Sequence, residues 1–353
     1  MIISRTPFRL SFFGGGTDYP AWYLKFGGRV LCTAIDKYCY ISTRILPPFF
    51  DHHTRIVYSK TELCQSNDQI QHPAVRETLR FLNLELGLEI HHDGDLPARS
   101  GMGSSSSFTV GLLHALYALQ GVMPSKMQLA HESIHIEQNM IQETVGCQDQ
   151  VCVALGGMNQ ITFTPKGEIN VMPLTLPQAK LEELNDHLML FYTGIKRTAS
   201  DVAKSYVEDI EKRYGLLTRM MDMVDEGIVL LQSRSAITPF GELLHEAWER
   251  KRELSHLVSN KEVDQIYAAA RQAGATGGKI TGAGGGGFLL LFVPPGLQKS
   301  VREALRDLIY VPFYFETHGT QIIFYEPERR DYIDLFRLCT HRSVRAFREL
   351  GLE

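Results

Sequence analysis

The chain has 353 residues, and at roughly 150 residues per domain this length predicts two sizeable domains with a large buried core. Hydrophobic residues make up 44% and charged residues 22% of the sequence, which excludes disordered, collagen-like and disulfide-dense classes of protein. With 36 basic and 40 acidic residues the net charge is -4, so no electrostatic signal favours nucleic acid or a membrane as a partner.

Strands and helices alternate in the first half of the chain. The spacing of apolar residues predicts strands at 1–13, 29–44, 89–92 and 188–192, and helices at 74–86, 108–119 and 125–142. The first strand holds Arg5 and Arg9 where a secretory signal would have to be apolar, so no such signal is expected.

The second half begins with a long helical region at 199–273 and continues as a mixed block. This block is predicted to contain strands at 288–293, 311–315 and 321–325 and a helix at 299–308. The apolar run at 288–293 stops at Pro294 and is far shorter than the roughly 20 residues of a membrane span. We predict an α+β protein with one domain at 1–185 and another at 186–353.

Two features of the sequence bear on zinc. Six cysteines are scattered without a CxxC pair, which favours a reducing, cytoplasmic location over a disulfide framework or structural zinc. His131, Glu132 and His135 match the zinc-peptidase pattern HExxH. These histidines share a polar helix face with Gln138 and Gln142, and no metzincin extension follows, so a zinc hydrolase is only a distant alternative.

Glycines concentrate in three clusters, and the second one predicts a phosphate site. Residues 100–107 read SGMGSSSS and lead directly into an apolar helix. Close backbone approach, hydroxyl donors and a helix start together form a cradle for an anion. The residues of this cradle are Gly101, Met102, Gly103, Ser104, Ser105 and Ser106. A Walker A sequence is absent, and the alternative is an ordinary Gly/Ser loop that caps a helix.

The third cluster, KITGAGGGGF at 279–288, contains GxGxxG at Gly282, Gly284 and Gly287. A strand follows it instead of a helix, so the context of a dinucleotide site is missing. Glycines this dense mean that backbone passes close to another group. Either a ligand or the other domain can be that group.

Glu137 is the acidic residue whose position is most informative. On the helix at 125–142 it shares a stripe with apolar residues, namely Met127, Ala130, Ile134 and Ile141. A carboxylate that faces the core needs a cation or hydrogen-bond donors. A buried salt bridge and a metal site are the two alternatives.

Asp149 follows twelve residues later in the segment GCQDQ. On a continuous helix the two acids would lie about 18 Å apart along the axis, too far to act on one phosphoryl group. Gly146 offers a break that would bring Asp149 back toward Glu137. Without such a fold-back, Asp149 is more typical of a helix N-cap.

The three clusters, in this order and separation, resemble the GHMP kinase family, which includes galactokinase, homoserine kinase and mevalonate kinase. The matching segments are TPFRLSFFGGGTDYP at 6–20, LPARSGMGSSSSF at 96–108 and KITGAGGGGF at 279–288. The resemblance spans nearly the whole chain. It implies an N-terminal domain of the ribosomal-protein-S5 type, a ferredoxin-like C-terminal domain, and ATP bound between them.

The resemblance also implies roles for the acids and the second cluster. The residues from Gly101 to Ser106 would wrap the phosphates of ATP, and Ser105 with Glu137 would hold Mg²⁺. Asp149 would be the general base toward the acceptor hydroxyl. Arg9 would lower the pKa of Asp149 or stabilise the transition state.

By the same resemblance, the sugar site uses the first and third motifs. Its expected substrate-binding residues are Gly15, Gly16, Thr17, Asp18, Gly282, Ala283, Gly284 and Gly285. The Asp18 carboxylate is the expected acceptor for sugar hydroxyls. Galactokinases have GEHTDY where this chain has GGGTDY, so an acid and a histidine that help to hold galactose are missing.

The GGGTDY start, AIDKY at 34–38, GCQDQ and YTGIKR at 192–197 look most like the D-glycero-D-manno-heptose 7-phosphate kinases of the family. This implies a kinase that uses ATP and Mg²⁺, phosphorylates the anomeric hydroxyl and supplies nucleotide-activated heptose. A phosphorylated substrate needs a basic anchor, for which Lys196 and Arg197 are candidates, with a solvated basic turn as the alternative. A free-sugar kinase and a catalytically silent sugar sensor are the alternative functions.

Overall fold

The computed structural model of the chain describes residues 1–47, 49–98, 100–195 and 199–327. Lys196 and Arg197, the predicted basic anchor, lie outside the described residues. The strands are, in chain order, β1 (Ile2–Phe13), β2 (Gly28–Ile45), β3 (Thr54–Val57), β4 (Thr61–Cys64), β5 (Leu88–Gly94), β6 (Met158–Phe163), β7 (Ile169–Pro173), β8 (Leu188–Tyr192), β9 (Gly277–Ile280), β10 (Phe288–Phe292), β11 (Ile309–Tyr310), β12 (Phe315–Glu316) and β13 (Gln321–Tyr325). The α-helices are α1 (Pro20–Phe26), α2 (Pro73–Phe81), α3 (Ser104–Leu119), α4 (Lys126–His135), α5 (Gln148–Leu155), α6 (Gln178–His187), α7 (Ala199–Val207), α8 (Tyr214–Gln232), α9 (Thr238–Arg252), α10 (Lys261–Gln272) and α11 (Gln298–Ala304).

Nine of the described strands form the first sheet, with β1 and β2 at its centre. Its main order is β13-β1-β2-β5-β3-β4, and β6 and β12 also pair with β2 while β7 pairs with β6. The strand β2 is 18 residues long, so one half pairs with β5 and the other half with β6 and β12. The pair β3–β5 is parallel and the other ladders between these strands are antiparallel.

Helix α3 packs on β1 and β2, and a glycine sets how closely it lies. A Cβ at Gly111 would lie 2.8 Å from Oγ1 of Thr6. Oγ of Ser4 donates a hydrogen bond to the carbonyl of Gly111 at 2.7 Å. Because the helix lies directly on β1, its N-terminal end stays at a fixed position relative to Arg9 on that strand.

The second sheet has the order β11-β8-β10-β9, with every neighbouring pair antiparallel. Numbered along the chain within this sheet, the order is 4-1-3-2, and helices connect the first strand to the second and the third to the fourth. This is the ferredoxin-like arrangement, so the predicted α+β class is confirmed. The apolar run 288–293 includes β10, which is buried along its whole length. Within the described ranges, no helix combines the length and apolarity needed to cross a bilayer.

The predicted domain boundary at 185/186 lies near the end of α6, just before the second sheet begins. Two strands after this boundary nevertheless return to the first sheet. β12 pairs with β2, and β13 pairs with β1. The assignment of all residues after 185 to the second domain is therefore wrong for these strands, because they complete the N-terminal sheet.

Candidate functional site

The predicted phosphate loop, residues 100–103, lies between β5 and α3, directly before the first turn of the helix. Gly101 and Gly103 both have left-handed backbone conformations, with φ of 78° and 76°. Helix α3 begins at Ser104, and its first turn contains no acidic residue. Since the first N–H groups of a helix lack intrahelical partners, the loop presents backbone donors and positive helix charge to an anion.

Arg9 connects this loop to Asp149. Its backbone N–H donates to the carbonyl of Met102 at 3.1 Å, and its Nη1 donates to that of Gly101 at 2.7 Å. Its Nε and Nη2 donate to the two carboxylate oxygens of Asp149 at 2.7 and 2.6 Å. Register shifts in the β1–β2 ladder flank Arg9 on both sides, as bulges next to functional sites often do. The buried guanidinium therefore fixes Asp149 relative to the phosphate loop.

Asp149 lies in the first turn of α5, after a non-helical segment at 141–147. This segment replaces the continuous helix that would have separated the two acids. Gly146 lies within it for a steric reason, because a Cβ at this position would overlap Oδ2 of Asp18. The Asp149 side chain is 25% exposed, so a substrate group can reach it.

Asp18 is buried, and its carboxylate is bound by backbone N–H groups. Oδ1 accepts from Gly16 at 3.0 Å, and Oδ2 accepts from Gln148 at 3.3 Å. The Asp18 carbonyl also accepts from the N–H of Cys147 at 3.0 Å. Burial and, to a lesser degree, the charge of Asp149 raise the pKa of Asp18. Asp18 thus holds the start of α5, and its role as an acceptor for sugar hydroxyls stays a prediction.

The other residues of the first motif form the turn that carries Asp18. Thr17 is buried, and its hydroxyl donates to the carbonyls of Gly14 and Arg29 at 2.8 and 3.0 Å. Gly16 has a φ of 105°, a backbone conformation that favours glycine. Gly15 lies beside the side chain of Gln148. These contacts shape the turn, and binding of a sugar by Gly15, Gly16 and Thr17 stays a prediction.

Glu137 is fully buried at a distorted point of its helix. The helix predicted at 125–142 is α-helical only to His135, and residues 136–140 form a π-helical turn, a feature that often marks functional sites. The buried residues of this region are Leu129, Ala130, Ser133, Ile136 and Glu137. Of the predicted inward stripe, Ala130 and Glu137 are fully buried, Ile134 and Ile141 are partly buried against the core, and Met127 is half-buried. The most buried face also includes Leu129, Ser133 and Ile136, because α4 packs against both α3 and α5.

Two donors bind one oxygen of the Glu137 carboxylate. Gln150 Nε2 donates to Oε2 at 2.6 Å, and Ser106 Oγ donates to the same oxygen at 3.1 Å. Within the described residues, Oε1 is buried without a hydrogen-bond partner. Burial raises the pKa of Glu137 to about 8, against the opposing effect of the Gln150 hydrogen bond. A cation beside Oε1 would favour the charged form.

Ser106, and not the predicted metal ligand Ser105, contacts Glu137 directly. Ser106 is buried against the carboxylate, whereas Ser105 is exposed at the start of α3. An exposed hydroxyl in this first turn is open to a nucleotide or its metal ion. The role of Ser105 as a metal ligand therefore stays a prediction.

The third glycine cluster packs closely against the loop before α3, so the N-terminal domain is one group that its backbone approaches. A Cβ at Gly282 would lie 2.6 Å from Cα of Gly101, and a Cβ at Gly287 would overlap the carbonyl of Ser100. A Cβ at Gly284 would lie 2.6 Å from the carbonyl of Val258. The N–H of Gly285, two residues after Ala283, donates to this same carbonyl at 2.7 Å. Substrate binding by Gly282, Ala283, Gly284 and Gly285 stays a prediction.

Two lysines near the site, Lys251 and Lys279, are buried, although no feature of the sequence predicts it. Lys251 donates to the carbonyls of Ile280 and Gly282, and Lys279 donates to the carbonyl of Phe12 at 2.8 Å. Burial and then the charge of Arg9 lower the pKa of Lys251 to about 7. Lys251 lies in the run Glu-Arg-Lys-Arg at the end of α9, which reads as a solvated helix end, so the sequence carries no signal for its burial.

The HExxH segment is not arranged as a zinc site. His131 and His135 are exposed, and Glu132 instead accepts hydrogen bonds from Tyr117 and Gln128. In the part of the chain that the structure describes, no group of three His, Cys, Asp or Glu side chains could hold a metal ion.

Comparison with known proteins places both halves of the chain among kinases. Residues 70–157 match the GHMP kinases N terminal domain, and residues 229–310 match the GHMP kinases C terminal domain. The chain is 28% identical to a D-glycero-alpha-D-manno-heptose 7-phosphate kinase of Campylobacter jejuni, over 86% of this chain and 93% of that protein. It is 25% identical to a galactokinase of Pyrococcus furiosus, over 86% of this chain and 92% of that protein.

Solved structures show the same architecture. A D-glycero-D-manno-heptose 1-phosphate kinase from Bacteroides thetaiotaomicron aligns over 92% of this chain and all of its own, with a TM-score of 0.74 and 22% identity. A putative sugar kinase from Campylobacter jejuni aligns over 91% of this chain and 97% of its own, with a TM-score of 0.67 and 25% identity.

Proposed function

Since the chain belongs to the GHMP kinase family, we propose that it transfers the γ-phosphoryl group of ATP to the anomeric hydroxyl of D-glycero-D-manno-heptose 7-phosphate. The observation that carries this proposal is the Arg9–Asp149 pair, which holds a partly exposed carboxylate beside an anion-binding loop. The choice of sugar is supported by the similarity to the Campylobacter heptose 7-phosphate kinase over most of both chains.

The proposed chemistry needs a base next to the phosphate site. The anomeric hydroxyl gives its proton to Asp149 while its oxygen forms a bond to the γ-phosphorus. The bond from that phosphorus to the bridging oxygen of the β-phosphate breaks, and ADP leaves. The backbone N–H groups before and at the start of α3 stabilise charge on the phosphates. Arg9 keeps the carboxylate oriented by two parallel hydrogen bonds.

Kinases of this kind bind ATP with Mg²⁺, and the residues present fit such an ion. Glu137 is a buried carboxylate whose Oε1 has no hydrogen-bond partner among the described residues. Carboxylate oxygen is the kind of ligand that Mg²⁺ prefers. Glu137 and the hydroxyl of Ser105 would hold the ion, which would neutralise charge on the transferring phosphoryl group.

A substrate screen tests the proposal. ATP consumption is measured with D-glycero-D-manno-heptose 7-phosphate, free heptose, fucose, galactose and mannose, and NMR locates the new phosphate on each product. We expect turnover with the heptose 7-phosphate and a product phosphorylated at the anomeric carbon. Turnover only with a free sugar would replace the proposal by a free-sugar kinase, and ATP binding without turnover on any sugar would favour the silent sensor.

We also propose that the protein acts in the cytoplasm on a small sugar phosphate, without nucleic acid or a membrane as partner. The five cysteines within the described ranges are buried free thiols, which fits a reducing compartment. The net charge of -4 gives no electrostatic attraction to polyanions.

A further inference from the structure

Gln150 is a fully buried polar residue that the proposed phosphoryl transfer does not use directly. Its Nε2 donates to Oε2 of Glu137 at 2.6 Å. Only the amide nitrogen can donate to a carboxylate, so this contact fixes the orientation of the Gln150 amide. Its own Oε1 is then left buried without a hydrogen-bond partner in the described part of the chain.

Asp149 and Gln150 are consecutive residues in the first turn of α5, and their side chains reach different partners. Side chains at consecutive positions of a helix point in different directions. Accordingly, Asp149 binds Arg9 beside the phosphate loop, whereas Gln150 binds Glu137 in the π-helical turn that follows α4. One turn of α5 therefore sets the separation between the two acids of the site.

The two oxygens of Glu137 have different environments. Gln150 and Ser106 both donate to Oε2, and Oε1 has no hydrogen-bond partner among the described residues. The hydroxyl of Thr109 also lies near this carboxylate, but it donates to the carbonyl of Ser105 at 3.1 Å. Buried polar atoms without a partner are uncommon in folded proteins and call for a specific explanation. A hydrated cation would account for both orphan acceptors, because it would bind Oε1 of Glu137 and its water molecules would donate to Oε1 of Gln150.

We propose that Gln150 is a positioning residue for the divalent cation that accompanies the nucleotide, because it holds Oε2 of Glu137 and leaves Oε1 to the ion. This inference rests on the proposed function in one respect, that the phosphate loop binds a metal–nucleotide complex. It does not depend on which sugar accepts the phosphoryl group.

The test compares nucleotide binding with and without a metal ion. Calorimetry measures the dissociation constant for adenylyl imidodiphosphate, first with saturating Mn²⁺ and then with EDTA, for the wild type and Gln150→Met. Methionine keeps the length and burial of the side chain but has no N–H donor. We expect binding of the Mn²⁺ complex to weaken by about 10- to 100-fold, as for other residues that orient a metal ligand, and metal-free binding to be unchanged.

A double-mutant cycle separates positioning from a general structural effect. In a Glu137→Gln background, Gln150→Met should weaken binding of the Mn²⁺ complex no further, because the carboxylate that Gln150 positions is already absent. Gln128→Met is the matched control, since Gln128 also donates to a glutamate, Glu132, at 2.9 Å, but on the surface of α4. This control should bind the Mn²⁺ complex like the wild type.

Unchanged binding of the Mn²⁺ complex by Gln150→Met overturns the proposal. The proposal is also overturned if Gln150→Met loses the same affinity for the nucleotide with and without metal. A further loss of affinity for the Mn²⁺ complex in the Glu137→Gln background overturns it too. If Gln150→Met fails to fold, Gln150→Asn retains a buried amide but withdraws the donor, and the same outcomes apply. A wild type that binds the Mn²⁺ complex but phosphorylates no sugar would contradict the proposed function alone, so the two failures are distinguishable.

Discussion

Asp149 keeps open hydrogen-bonding positions although Arg9 donates to both of its oxygens. A carboxylate has about four lone-pair positions, and Arg9 occupies one on each oxygen. The exposed quarter of the side chain leaves the remaining positions open to a hydroxyl group. Fixed on one side and open on the other, the carboxylate has the preorganisation that a general base requires.

Replacing Asp149 with Asn should remove the proposed base while preserving the size of the side chain. We expect kcat to fall by about 10²- to 10⁴-fold. Affinity for adenylyl imidodiphosphate should stay unchanged, because the phosphate loop does not include Asp149. Steady-state kinetics and calorimetry check both expectations, with Asp307→Asn as an exposed control. Full turnover by Asp149→Asn would rule out the base assignment.

Gly146 is required by Asp18, since a Cβ at position 146 would overlap Oδ2 of the carboxylate. We expect Gly146→Ala to displace Asp18 or the segment before α5, with a loss of about 1–3 kcal/mol in the free energy of unfolding and reduced kcat. Gly215→Ala on α8 is the control, because a Cβ there meets nothing within 4 Å. Urea unfolding measures the free energies, and equal stability of the two variants would contradict the steric argument.

At the scale of elements, the third glycine cluster supports the phosphate loop from the second sheet. The loop between β9 and β10 places Gly282 and Gly287 against Gly101 and Ser100, where side chains would separate the two backbones. Lys251 binds the same loop by donating to the carbonyls of Ile280 and Gly282. The position of the phosphate loop therefore depends on an element almost two hundred residues away in the sequence.

Gly287→Ala should move the phosphate loop without touching its sequence. The added Cβ would overlap the carbonyl of Ser100, and the φ of 89° disfavours alanine as well. We expect the KM for ATP to rise by about 10-fold or more, because small displacements in a site carry large kinetic costs. Gly296→Ala, where a Cβ meets nothing within 4 Å, should leave the KM unchanged. An unchanged KM in Gly287→Ala would show that the loop is positioned by other contacts.

At the scale of the whole molecule, the features predicted correctly from the sequence are those encoded in contiguous segments. The loop before α3, the burial of Glu137 and the α+β class follow from local glycines, serines and hydrophobic periodicity. The return of β12 and β13 to the first sheet depends on pairing across most of the chain, which no local pattern shows. Gln150 and Lys251 are defined by partners outside their own helices, 13 residues away for Gln150 and 29 and 31 residues away for Lys251.

At the same scale, the burial of Lys251 gives the stability of the fold a dependence on pH. Its pKa is about 7 in the folded chain and 10.5 for a free side chain, so between these values the unfolded chain binds a proton that the folded chain does not. The free energy of unfolding therefore decreases as the pH falls, by up to about 1.4 kcal/mol per pH unit from this residue. Methionine at position 251 cannot titrate. Between pH 7 and pH 9, the free energy of unfolding of the wild type should therefore rise by about 2 kcal/mol relative to that of Lys251→Met. Urea unfolding at several pH values in this range measures the two free energies, and Lys166→Met, at an exposed position, is the control. If the free energies of wild type and Lys251→Met change in parallel with pH, Lys251 stays protonated in the folded chain.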